Sequence, residues 1–410
     1  MAIPFVHIQA KGTYRELGRA VGEGARPQIE ASVAFFRENI AAMGGGLAFG
    51  EAERQAAAYL RYAKRYLPQY VEELGGMAEG SGVPFSALLV LNCGEEFTTS
   101  EPVVGEADEP PTRAAREAEI RAPRGSGAGA TGEAGARPAR ETGLRSVRRP
   151  EGGPAVKVRG GDRCTAVAIV SRGRHVVAHN MDWYVVDAPK NVLFDLTVPD
   201  GTRILTIAGA PYLPMLAMNS HGIGNVSNSL HSNDNRVGVP NAFVRRWSIE
   251  ASTLEEARTR GLLGARARGT NHFFGDTAGR LWDVETSATA AAFMDRSNDG
   301  FMAHTNHYVA PEMAAYEGAG HRESRTRLAT AERMAAEGVA RDDDPVELAA
   351  RVLRCHEPSA EECICGHPDE RDTLADQGMT VGSLICDLDE RRLYACAGPP
   401  CENPYRVFEL

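Results

Sequence analysis

The chain has 410 residues, 43% of them hydrophobic and 24% charged, an ordinary globular composition with length for one large domain or two average ones. A net charge of −10 and a pI near 5.7 give no general electrostatic case for nucleic-acid binding. The opening MAIPFVHIQAKG has neither a basic n-region nor an apolar core, and no run approaches the eighteen or so apolar residues of a membrane helix, so neither export nor membrane insertion is expected. Eight cysteines in such a chain read as reduced thiols of a cytoplasmic protein.

Residues 1–103 read as helical. Thr13 and Glu16 form a capping box, followed by apolar residues at helical spacing from Leu17 and Val21 through Ile29, Val33, Phe36 and Ile40. A second helix fits from about Glu51 to Met77. A third follows Pro84 and carries Phe85, Leu88, Leu89 and Leu91. From 104 to 161 Gly, Ala, Arg, Pro and Glu dominate. Too few large apolar side chains remain to offset the entropy of ordering, so a disordered linker is expected.

From 162 to 410 the pattern turns to hairpins. TAVAIVS and HVVAHNMDW flank Arg172-Gly173-Arg174, and NVLFDLTVP and TRILTIAG flank Asp200-Gly201. NHFFGDTAGRLWDVET and GSLICDLDERRLYACAG repeat the theme, with helical stretches near 242–262, 322–338 and 344–354 between them. Hairpin-linked strands with separate helices argue for an α+β domain on antiparallel sheets.

Centring the first hairpin on Gly173 sets Cys164 opposite Asp182, on one face. A two-residue turn would shift that register by one. A carboxylate beside a thiol raises the thiol pKa, so Asp182 makes better chemical sense holding an ammonium group. The α-amine of Cys164, once the Arg163–Cys164 bond is cut, would be that group, and with an ordinary pKa near 8 it could serve as the thiol's base. On spacing alone, a buried strand thiol and a turn aspartate are the simpler account of the pair.

The stretch CTAVAIVSRGRHVVAHNMDW resembles the opening of the cysteine N-terminal-nucleophile hydrolases. These include the aminopenicillanate (isopenicillin-N) acyltransferases, their β-alanyl amide-hydrolysing relatives, and the bile-salt and penicillin V amidases. Asn180, Met181, Asp182 and Trp183 match the motif after the hairpin, and AMNSHGIGNVSNSL, HTNHY and ESRTRL match later segments in the same order. GTYRELGRAVGEG and LNCGEEF resemble the acyltransferase branch's pro-region.

The resemblance implies a four-layer αββα sandwich that cleaves itself before Cys164, leaving residues 1–163 as a bound partner chain. It implies Cys164 as nucleophile and Asp182 and Arg325 as the groups fixing it, with Arg327 in reserve. It further implies Asn306 as oxyanion donor, and Asn228 as a substrate-binding asparagine. His179 precedes the Asn-Met-Asp motif and His307 flanks Asn306, which makes both candidates for pocket lining. The substrate would be a small-molecule amide or acyl thioester, passed to water or an amine; oligomeric state stays open. Arg163 stands where the acyltransferases have glycine, a departure that supports an alternative: a catalytically degenerate or metal-binding scaffold with the same fold. His356, Cys363, Cys365 and His367 crowd one stretch, but their spacing is not C-x₂-C, and the family carries similar residues there without metal. No metal and no cofactor is expected.

Overall fold

The computed structural model describes residues 5–43, 46–98, 103–107, 163–318, 322–374 and 377–410. Two sheets lie face to face between two helical layers. The eight-stranded sheet runs β1-β4-β5-β6-β7-β8-β9-β10: β1 (Val6–Lys11), β4 (Asn191–Thr197), β5 (Arg203–Gly209), β6 (Ala217–Asn219), β7 (Ile223–Ser229), β8 (Thr270–Asp276), β9 (Leu281–Thr286) and β10 (Ala291–Asp295). The six-stranded sheet runs β11-β2-β3-β12-β13-β14: β11 (Phe301–His304), β2 (Arg163–Ser171), β3 (Arg174–Tyr184), β12 (Gly378–Asp387), β13 (Arg392–Ala397) and β14 (Arg406–Glu409).

Strand alternation builds the layers. In β4, Leu193 joins Leu205, Val226, Ala166, Ala168 and Leu384 in an apolar core between the sheets. Its neighbours Val192, Phe194 and Leu196 point the other way, into a second core under the N-terminal helices. In β2, Val167 and Ile169 point outward against Leu328, Ala331, Leu348 and Val352. Those four lie on α9 (Arg322–Ala340) and α10 (Pro345–Leu353), which cover the six-stranded sheet. The expected αββα architecture is therefore present, with three stacked cores.

The N-terminal segment is more than helical. β1 pairs in parallel with β4, from Val6 beside Val192 to Lys11 beside Thr197, so residues far ahead of Cys164 supply an edge of the large sheet. The long first helix is two, α1 (Tyr14–Gly24) and α2 (Arg26–Met43); the second splits at Leu67-Pro68 into α3 (Phe49–Tyr66) and α4 (Pro68–Ser81). Proline at an early helical position starts a helix and cannot continue the preceding one. α1 and α4 cross at backbone contact: a Cβ on Gly18 would fall 1.8 Å from the Glu73 carbonyl oxygen, so glycine is required there. α5 (Phe85–Asn92) and α6 (Gly94–Thr98) then run to the mouth of the sandwich.

Residues 108–162, most of the expected linker, lie outside the described residues. Its first residues are ordered: Val104 and Ala107 donate backbone N–H groups to the carbonyls of Asn235 and Val237 at 2.7 Å each.

Candidate active site

The hairpin that carries Cys164 turns on two residues. Arg172 and Gly173 both have positive φ, 54° and 69°, and Ser171 opposes Arg174. Two central residues with positive φ make the turn whose twist matches paired strands. The register is therefore one residue away from the expected one: Cys164 opposes Met181, and Asp182 opposes Arg163. Cys164, like Ala166 and Ala168 of the inter-sheet core, faces between the sheets, whereas Asp182 shares the outward face of Arg163 and Thr165. The expected facing of thiol and carboxylate is corrected; Asp182 instead stands across from the residue whose peptide bond would be cut.

The backbone of Cys164 is held at both its N–H and its carbonyl. Its N–H donates to Asn306 Oδ1 at 2.8 Å, its carbonyl accepts from Arg327 Nη1, and Arg327 Nη1 also reaches Thr165 Oγ1 at 3.1 Å. Arg327 Nη2 donates to the same Asn306 Oδ1 at 2.9 Å, while Asn306 Nδ2 donates to the Ser229 carbonyl at 3.1 Å. Two donors converge on Oδ1, which settles the amide's orientation. Asn306 is thus an acceptor for the Cys164 nitrogen, and one of its two amide N–H groups is used on Ser229.

Of the two candidate arginines, Arg327 lies against Cys164 and Arg325 does not. Arg325 has 61% of its side chain exposed and pairs with Glu317 at 3.0 Å; Arg327 is completely buried. Residues two apart on a helix differ by about 200° in direction, so only one of them can face the strand. Burial lowers the Arg327 pKa to about 10, which leaves it protonated at neutral pH.

Asp182 is buried, and that burial pushes its pKa up against the opposing pull of Arg163 and Arg327. Thr380 Oγ1 donates to its Oδ1 at 2.6 Å, while Oδ2 has no hydrogen-bond partner among the described residues. The Arg163 side chain bonds the Cys363 carbonyl at 3.1 Å and lies 3.9 Å from Glu323.

A cavity of about 130 Å³ opens where Cys164, His179 and Met181 meet the far sheet and the N-terminal helices. Trp183, Ala208, Tyr212, Met215, Leu216 and Val381 give it a largely apolar wall, and Leu91, Asn92, Glu95 and Glu96 come from α5 and α6. Its cationic group is Arg245, on α7 (Asn241–Ser248), which pairs with Glu95 at 2.8 Å and donates to Thr270 Oγ1 and Ser229 Oγ. Glu96 accepts from the Asn241 N–H at 2.8 Å, and burial raises its pKa to about 7. Sequence reasoning missed Glu95, Glu96 and Arg245 as pocket residues. The available signal was a pair of acids directly after the apolar run of α5, since buried acids need partners.

His179 lines this cavity, as expected. It is completely buried, its Nε2 lies 3.0 Å from the Ser227 carbonyl, and burial lowers its pKa to about 3, so it is neutral. His307 does not line it: its Nδ1 is tied to Ser324 Oγ at 2.7 Å behind Asn306, a correction that follows from its place in the turn beyond β11. Asn228 lies on the inter-sheet face of β7 with Val226, but it is not part of the cavity wall. Its Nδ2 makes one long contact, 3.4 Å to the His304 carbonyl, and its Oδ1 has no hydrogen-bond partner among the described residues.

A family model described as acyl-coenzyme A:6-aminopenicillanic acid acyl-transferase matches residues 170–401, starting just beyond Cys164. No curated protein matches the chain. Among solved structures, penicillin V acylase from Agrobacterium tumefaciens is similar with a TM-score of 0.42 at 14% identity, over 60% of this chain and 85% of that one. A mutant of the conjugated bile acid hydrolase from Clostridium perfringens gives a TM-score of 0.42 at 11% identity, over 60% and 97%.

Proposed function

Because the chain belongs to the acyl-coenzyme A:6-aminopenicillanic acid acyl-transferase family, we propose that it is a self-processing cysteine-nucleophile enzyme that takes an acyl group from a small amide or thioester. The observation that carries this reading is the clamp on Cys164: Asn306 holds its nitrogen, Arg327 its carbonyl, and its side chain borders the cavity.

In processing, the thiol sulfur attacks the Arg163 carbonyl carbon, the Cys164 nitrogen leaves as an amine, and water hydrolyses the resulting thioester to a carboxylate at Arg163. The new ammonium gains protons that the peptide N–H lacked. Asn306 Oδ1 accepts one, and the unpaired Oδ2 of Asp182, opposite the departing Arg163, is placed for another. In turnover the thiol proton passes to the free α-amine as sulfur attacks the substrate carbonyl. The amine or thiol leaving group carries that proton away, and water or an acceptor amine then takes the acyl group. Asn306, beside Cys164 and with one amide N–H not committed to Ser229, is the candidate for the oxyanion; such a donor is worth about 3 kcal/mol. A cavity near 130 Å³ approaches the roughly 150 Å³ that houses a benzene ring, which favours a compact apolar acyl group. A cytoplasmic setting, in which the cysteines form no disulfide, belongs to this reading.

Intact-mass measurement on the purified protein tests it. The expected result is two chains, 1–163 and 164–410, that separate only on denaturation. One uncut chain after prolonged incubation, with no amide or thioester turnover, would overturn the reading.

A further inference from the structure

Outside the active site, four metal-ligating side chains converge from three loops. His356 follows α10, Cys365 and His367 sit in the segment leading to β12, and Cys401 follows β13. Their ligand atoms all lie within 4.8 Å of one another. The individual separations are 3.5 Å for Cys365 Sγ to Cys401 Sγ, 3.2 and 3.9 Å from His367 Nε2 to the two sulfurs, and 3.1 Å between the Nε2 atoms of His356 and His367.

We propose that His356, Cys365, His367 and Cys401 form a structural zinc site. Zn–S and Zn–N bonds of about 2.3 and 2.05 Å in a tetrahedron imply ligand separations of about 3.8 Å for S–S, 3.5 Å for S–N and 3.3 Å for N–N. The four measured edges agree to within about 0.4 Å. Binding would deprotonate both thiols and release two protons, and the two thiolates would cancel the charge of the ion. A second observation points the same way. The other nitrogen of His367, Nδ1, faces Glu402 Oε1 at 3.3 Å, the carboxylate partner that fixes the tautomer of a zinc-bound imidazole. Cys363, a member of the crowded sequence cluster, is excluded: its thiol is turned to the carbonyls of Ala360 and Cys365.

The site would staple the segment that borders the processing point. The Cys363 carbonyl accepts from Arg163, and the Gly366 N–H donates to Thr380 Oγ1 at 2.9 Å, whose hydroxyl donates to Asp182. Both contacts lie within two residues of Cys365.

Metal analysis of the full-length protein, purified under reducing conditions without chelator, reads the proposal directly. About one zinc per chain is expected, and cobalt substitution should give the visible bands of a tetrahedral centre with thiolate-to-cobalt charge transfer. Cys401→Ser and His356→Ala should each bind less than a tenth as much, whereas Cys363→Ser keeps its zinc. Glu402→Gln, a surface change that leaves all four ligands, should weaken zinc about ten- to a hundredfold and covers the case in which a ligand variant fails to fold. A reduced wild-type chain that neither carries nor takes up zinc, loss of zinc in Cys363→Ser, or a Cys365–Cys401 disulfide in its place would overturn it.

Discussion

Cys164 and the Cys365–Cys401 pair are thiols of one sheet's surroundings, yet their neighbours meet them in different ways. Around Cys164 the partners grip the backbone: Asn306 takes the N–H, Arg327 the carbonyl, and the side chain is left beside a cavity. Around Cys365 and Cys401 the partners are the side chains of His356 and His367, whose ring nitrogens lie within 4.8 Å of both sulfurs. A nucleophile needs its main chain fixed and its sulfur accessible; a metal ligand needs its sulfur converged upon. The lesson is that the reach of the neighbouring groups, rather than the cysteine itself, separates the two roles.

The largest expected effect tests the first half of that contrast. Cys164→Ala should reduce turnover by a factor on the order of 10⁴–10⁶ and abolish processing, while metal content stays at the wild-type level. An active, still-processed alanine variant would end the distinction.

Next comes the arginine pair. Arg327→Leu removes one of the two donors to Asn306 Oδ1 and the guanidinium on the Cys164 carbonyl and should cost about 3 kcal/mol in urea denaturation, with processing impaired. Arg325→Ala, which removes one exposed ion pair, should change stability by less than about 1 kcal/mol. Equal effects from the two would mean that the clamp on Cys164 is not what Arg327 provides.

The smallest effect is a pH slope. His179 has a folded pKa of about 3 against an ordinary value of 6.5, so the unfolded chain binds the extra proton. Its stabilising contribution is present above pH 6.5 and declines as pH falls toward 3, by about 1.4 kcal/mol per unit. His304, raised to about 9 against burial by Asp283 and Glu285, behaves oppositely: its contribution is lost as pH rises from 6.5 through 9. In an uncut Cys164→Ala background, denaturation at pH 5 and 7 should show a shallower acid loss for His179→Gln, by about one proton. An unchanged slope would place a charge in the cavity wall.

Much of the fold was legible. Alternation in β4, the Asp200-Gly201 turn and the capping box at Thr13 are local signals, written in neighbouring residues, and the elements formed where they pointed. The parallel strand Val6–Lys11 was not, because its partner lies about 186 residues away. At the site, Cys164, Asp182, Asn306 and Arg327 could all be named from ordered motifs, whereas the direction of each side chain could not. A single positive-φ pair at Arg172 and Gly173 moved the register by one and put Asp182 on the other face from the thiol. Two residues along α9 exchanged Arg325 for Arg327.

The sequence by itself determined which residue types are available, since helix and strand periods and turn chemistry act over a few positions. Only the tertiary structure decided which of them meet. Glu95 reaches Arg245, and Cys401 joins His367 across 34 residues, because chain folding, not spacing, sets distances between remote groups.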